Sequence, residues 1–106
     1  MGLSFKENCP DIRNTKVVDL VNEFKSFSCS IDVYDPWVDK DEALNEYNMK
    51  LIEYPEKHKY DAIVLAVAHD QFQNFSYKKL MAYGKDKHVI YDIKYLLNID
   101  EVDGRL

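Results

Sequence analysis

One stretch, Asp61-Ala62-Ile63-Val64-Leu65-Ala66-Val67-Ala68, is almost continuously apolar, and His69-Asp70 ends it. A strand buried on both faces reads this way, and such strands belong to parallel sheets covered by helices. That run constrains the fold more than any other part of the chain. A parallel strand needs a crossover connection, so helical segments must lie before and after it.

The flanking sequence supplies them. From Lys16 to Phe27, apolar residues at Val17, Val18, Leu20, Val21, Phe24 and Phe27 follow helical spacing. Asn14 or Thr15 can cap that helix. Cys29, Ile31 and Val33 then alternate with polar neighbours, which predicts a strand with Cys29 in the core. Asp35-Pro36 closes it, because proline cannot continue a ladder. A short helix is expected over 39–48, acidic at its front, then a short strand over 49–54 and a polar connection over 55–60. Phe72, Phe75, Leu80, Met81 and Tyr83 fit one or two helical segments, with Gly84 as C-cap. Val89-Ile90-Tyr91 is the last clear strand. Tyr95-Leu96-Leu97 begins a turn or helix, and a polar tail follows.

Strands alternating with helices predict an α/β layer fold with a mostly parallel sheet. Met1-Gly2-Leu3 reads as the end of a first strand whose earlier residues lie outside the chain. A sheet cut there is expected to be less stable, or to pair with another copy, because an exposed edge invites association. In such sheets ligands sit beyond the carboxyl ends of the strands. The opening loop, Asp35-Pro36, Ala68-His69 and Asp92-Ile93-Lys94 all fall at such ends and are expected on one rim.

At 106 residues, with 46% hydrophobic and 31% charged, the chain is one domain. The net charge of −5 argues against a nucleic-acid surface. No run is long enough to span a membrane, and no basic region followed by an apolar stretch marks a signal peptide. Cys9 and Cys29 fit neither a metal pattern nor a disulfide framework, which favours a cytoplasmic protein with free thiols. The three histidines show no metal spacing.

The loop before the first helix carries Lys6 and Arg13. A helix start favours anions, and both cations add charge there. The alternative is a solvated loop with an Arg13–Asp11 pair. His69 is either a general base or ligand, or a turn residue beside Asp70. Cys9 has no base at a recognisable spacing. The three glycines, Gly2, Gly84 and Gly104, are too far apart for a dinucleotide fingerprint.

Gly2-Leu3-Ser4-Phe5-Lys6 followed by Asp11-Ile12-Arg13-Asn14-Thr15 resembles the start of the C-terminal domain of the UDP-glucose/GDP-mannose dehydrogenase family. Val33-Tyr34-Asp35-Pro36, Ala66-Val67-Ala68-His69-Asp70-Gln71-Phe72, Asp92-Ile93-Lys94 and Val102-Asp103-Gly104-Arg105-Leu106 continue the resemblance in order. The Phe5-Lys6-Glu7-Asn8-Cys9-Pro10-Asp11 wording is most similar to the branch oxidising UDP-N-acetylhexosamines for surface polysaccharides. The resemblance implies a Rossmann-like three-layer sandwich spanning residues 1–106, the UDP-sugar-binding part of a larger, oligomeric, NAD-dependent enzyme. It implies that Phe5 and Lys6 contact the UDP-sugar and that Arg13 reaches NAD held mainly by another domain. Lys94 stands where relatives often carry a substrate-binding Arg. The catalytic cysteine lies outside this domain in such enzymes, so Cys9 is not the nucleophile and this piece alone is inert. The rival expectation is a non-catalytic α/β module in which Lys6 and Arg13 serve a protein partner.

Overall fold

The computed structural model describes residues 1–73, 77–94, 96–97 and 99–105. Phe75 and Tyr95 lie outside the described residues, as does Leu106. Helix α1 spans Val17–Ser26 and α2 Lys40–Tyr47. Strand β1 (Tyr60–Leu65) is followed by α3 (Asp70–Gln73) and α4 (Tyr77–Tyr83), then β2 (Gly84–Asp92) and β3 (Gly104–Arg105). The expected α/β class with a parallel sheet is therefore present: β1 pairs β2 and β2 pairs β3, both parallel, while the segments expected as strands over 29–34 and 49–54 meet in one isolated bridge.

Two further extended segments continue the sheet past β1. The Met1 amino group donates to the Val64 carbonyl at 2.6 Å, and the Ala66 N–H donates back to the Met1 carbonyl at 2.9 Å. On its other side the Gly2 N–H donates to the Tyr34 carbonyl at 2.8 Å. Val33 in turn makes a parallel bridge with Leu51. The chain start thus lies between the 33–34 segment and β1. Gly2 sits at φ +98°, and a Cβ there would lie 2.6 Å from the Val67 Cβ, so only glycine fits this close approach.

Helices cover both faces. Leu3, Val33 and Leu51 join Val21 of α1 and Ala43 of α2 in one core. Ile63, Leu65 and Ile90 join Phe72 of α3 and Leu80 of α4 in another. Val33 belongs to the first core while its neighbour Tyr34 borders the second, as the alternation of an extended segment requires. The layers are helix, sheet, helix.

Local chemistry explains the helix starts. Asp39 caps α2 by accepting from the Glu42 N–H at 3.0 Å. At α1 the N-cap position falls on Lys16, which makes no side-chain cap bond, so neither Asn14 nor Thr15 is the cap. The Thr15 hydroxyl, one residue earlier, accepts from the Val17 N–H at 3.2 Å and donates to the Leu3 carbonyl at 2.6 Å. Asn14 instead takes a left-handed conformation at φ 58°.

Four expectations are corrected. Gly84 is not a C-cap but the first residue of β2, paired with Tyr60. The last carbonyls of α4, on Ala82 and Tyr83, accept from the His58 and Lys59 N–H groups, so no glycine cap is needed. Cys29 is exposed, not core, because sheet pairing begins only at Val33. Phe27 leaves the apolar stripe: α1 ends at Ser26, and Ser28 turns the chain at φ 62°. The polar tail contributes β3, where Asp103 accepts from the Ile90 N–H at 2.7 Å and donates its own N–H to the Ile90 carbonyl. Phe72 and Leu80 fall on two helices, α3 and α4.

In a polypeptide that starts at Met1, burial pushes the amino group's pKa down from its ordinary 8.0 to about 6, with Asp35's charge opposing the shift. A depressed amine makes the folded state bind fewer protons than the unfolded one across that window, so stability rises with pH. Urea unfolding between pH 6 and pH 8 is expected to show a gain of about 2 kcal/mol at the higher pH. A flat profile would contradict the buried amine.

Candidate functional site at the carboxyl rim of the sheet

Asp35 follows the extended 33–34 segment, and its side chain is fully buried. A buried carboxylate is costly unless its lone pairs are filled. Here Oδ2 accepts from the Leu3 N–H at 2.6 Å, the Ser4 N–H at 3.0 Å and His69 Nε2 at 2.9 Å. Oδ1 accepts from the Trp37 N–H at 2.7 Å, the local turn that Asp before Pro favours. Burial alone would push the Asp35 pKa up, but the donors from His69, Leu3, Ser4 and Trp37 outweigh it and hold the carboxyl below its ordinary range.

His69 is equally buried, and its ring state follows from its partners. The Asn8 backbone N–H, which can only donate, points at Nδ1 at 2.9 Å. Nδ1 is therefore unprotonated, and Nε2 carries the hydrogen that goes to Asp35. Ser4 Oγ lies 3.2 Å from Nε2 and donates to the Lys6 carbonyl at 2.8 Å. Asn8, at φ 55°, accepts the Asp70 N–H on its side-chain oxygen. Segment 4–8 is thus fastened at both ends to residues at the tips of two other sheet segments. Trp37 stands beside this network, its ring centroid 6.2 Å from that of His69 and its Nε1–H donating to Gln71 at 2.9 Å.

The fastened segment presents Phe5, 58% exposed, and Lys6, also exposed. The Phe5 N–H donates to the Asp11 carbonyl at 2.7 Å, which ties the two limbs of the loop. Arg13 lies on the second limb, forked onto Asp11 through Nε at 3.1 Å and Nη2 at 3.0 Å. The guanidinium holds the Asp11 carboxyl below its usual range, yet Arg13 remains 85% exposed. The pair anticipated as the alternative to an anion site is therefore formed without hiding the cation. An open groove of about 500 Å³ runs between Phe5, Asn14, Lys16, Asp19 and Tyr47. Tyr47, one of its lining residues, donates to the Ile12 carbonyl at 2.6 Å.

Lys94 stands at the end of β2, its N–H donating to Asp92 Oδ1 at 3.1 Å. The parallel register Leu65↔Asp92 puts it at the same end of the sheet as Ala66–His69. The opening loop, Asp35 and His69 do meet, through hydrogen bonds. Lys94 shares their end of the sheet but belongs to a separate turn. Sequence reasoning missed the Asp35–His69 contact; the available signal was that each is a polar residue directly following a strand-like run. His69 stands at the turn into α3, its carbonyl accepting the Phe72 N–H at 2.9 Å, and its buried ring adds the contacts to Asp35 and Asn8. Among the described residues no group of three or more His, Cys, Asp or Glu is placed to hold a metal. No helix among them is long and apolar enough to cross a membrane.

A parallel α/β domain with an exposed loop, carrying Phe5 and Lys6, at its carboxyl rim has the layout of the ligand-binding α/β class of protein. Within that class the chain belongs to the UDP-glucose/GDP-mannose dehydrogenase family, its residues 1–99 matching the family's UDP binding domain. It is 50% identical over its whole length to a UDP-N-acetyl-D-glucosamine 6-dehydrogenase of Pseudomonas aeruginosa and 46% identical to one of Salmonella typhi, covering 25% of each. It is 37% identical over 97% of its length to Protein CapL of Staphylococcus aureus, covering 24% of that protein. The chain thus spans about a quarter of the length of these relatives.

Asp35→Asn replaces one acceptor oxygen with an amide that faces donors. It is expected to lower unfolding free energy by about 2–4 kcal/mol in urea, with little change in slope. The wild-type advantage is complete above the ordinary carboxyl range and is lost as pH falls through Asp35's lowered folded value. Equal stability of the two proteins at neutral pH would refute the network.

Proposed function

We propose that residues 1–106 form the UDP-sugar-binding domain of a larger, cytoplasmic, oligomeric NAD-dependent UDP-N-acetylhexosamine 6-dehydrogenase serving surface polysaccharide synthesis. The observation that carries this reading is the fastened loop, which holds Phe5 and Lys6 outward, with Phe5 lining an open groove, in a chain of this family. The whole-length identity to relatives named UDP-N-acetyl-D-glucosamine 6-dehydrogenase supports the substrate.

Each residue's part follows from its chemistry. Lys6, a compact point charge, neutralises the diphosphate. Phe5 packs beside the nucleotide sugar and keeps water from it. Lys94, at the neighbouring strand end, adds a second cation without the bidentate fork of an arginine. Arg13 is exposed and preoriented by Asp11, which suits an anion approaching from outside the domain; we assign it to NAD. When bound, NAD supplies the hydride acceptor for the two oxidations that turn the 6-hydroxyl into a carboxylate. This chain's residues bind and orient the substrate; the catalytic cysteine belongs to another part of the enzyme.

Titration of the 106-residue chain with UDP at low salt, followed by NMR, tests the site. Shifts are expected at residues 4–13 and 92–94. Lys6→Ala is expected to weaken binding about tenfold or more, the value of one charge-assisted bond. Arg13→Ala is expected to leave UDP affinity unchanged, because its partner is the cofactor. Shifts confined to other regions, or equal losses from both variants, would contradict these assignments.

A further inference from the structure

We propose that His69 is a positioning residue for nucleotide binding: its neutral imidazole fixes segment 4–8 in the geometry that presents Phe5 and Lys6 to a uridine diphosphate group. The inference rests on the UDP site proposed above, and it assigns that site's shape to a side chain that never touches the ligand.

The two ring nitrogens do different work. Nε2–H donates to Asp35, which also holds the Leu3 and Ser4 N–H groups at the start of the loop. Nδ1 accepts the Asn8 N–H at the far end of the segment. Lys6 lies midway, its carbonyl accepting the Ser4 hydroxyl that also contacts Nε2. One buried ring therefore sets both ends and the middle of a segment whose residues 5–8 are themselves exposed. Those exposed side chains have little packing of their own to hold them. His69 in turn is wedged between Phe72, with centroids 5.3 Å apart, and Trp37, so its orientation is not free. A loop placed by a fixed acceptor loses no further entropy when ligand arrives, and such preorganisation is expressed as affinity.

Two substitutions separate the two nitrogens. His69→Asn keeps an acceptor near the position of Nδ1 and gives up the donor to Asp35. His69→Gln keeps a donor near the position of Nε2 and leaves the Asn8 N–H without its partner. Leu80→Ala, in the core away from the rim, provides a destabilised control. UDP affinity is measured by NMR titration of the 106-residue chain, and stability separately in urea.

His69→Gln is expected to weaken UDP binding about tenfold, as expected for a lost buried hydrogen bond. His69→Asn should stay within about threefold of wild type despite its lost bond to Asp35. Leu80→Ala should bind as wild type while folded. Wild-type affinity in His69→Gln would overturn the proposal, as would affinity that merely tracks stability across all three variants. Should the His69 variants not fold, the imidazole nitrogen-15 shifts of the unaltered chain decide. An unprotonated Nδ1 coupled across a hydrogen bond to the Asn8 amide supports the assignment; a protonated Nδ1 overturns it. A wild-type chain that binds no UDP contradicts the site itself, and the same nitrogen shifts then still decide whether His69 holds the loop.

Discussion

The buried carboxylate of Asp35 is the interaction on which this domain's functional end depends. Four donors converge on its two oxygens, from the chain start, from the turn that follows it and from His69. None of them carries a formal charge: three are backbone N–H groups and one is a neutral ring. Charge–dipole bonds of this kind are stronger than neutral ones, and enough of them offset the cost of removing a carboxylate from water. Removing any donor would leave part of that cost uncompensated. The three segment ends are therefore coupled, and the loop that leaves Leu3 has one path open to it.

The rest of the fold serves that convergence. Parallel pairing brings the carboxyl ends of successive strands to one side, and the two helical layers bury opposite faces of the sheet. Between them the Met1–Leu3 segment is gripped by Tyr34 on one side and β1 on the other. Gly2 lets it pass within contact of Val67. The side chains that meet ligand in the proposed function, Phe5 and Lys6, remain exposed and mostly unengaged. Order in the scaffold and availability at the surface are thus divided between neighbouring residues.

Much of the architecture was legible in the sequence because its signals are local. The 3.6-residue stripe of α1, the acidic front of α2 and the apolar run of β1 each lie within about ten residues, and all three elements form. The failures occurred where distant partners override local signals. Gly84 looks like a helix terminator, but amides from residues 58 and 59 cap α4 and free it to begin a strand. Cys29 alternates correctly, yet its N–H turns back to the Phe24 carbonyl, and the bridge of this segment to a neighbouring one falls at Val33. Gly104 and Arg105 carry no strand signal of their own and pair only because β2 offers an edge. At the site, Lys6 and Arg13 stood out by their charge ahead of a helix start, whereas Phe5 and the roles of all four residues, Lys94 included, came from family resemblance. The Asp35–His69 bond joins residues 34 apart; the local pattern marks each as a polar residue after a strand-like run but does not pair them.

Native-state hydrogen exchange of the Leu3, Ser4 and Trp37 amides tests the central role of Asp35 most directly. These three N–H groups donate to its carboxylate and, among the described residues, to no backbone partner. If that carboxylate is the anchor, all three should exchange only through global opening, with the same protection as the Ile90 amide in β2. Exchange at the rate of an exposed loop, with Ile90 still protected, would contradict the account.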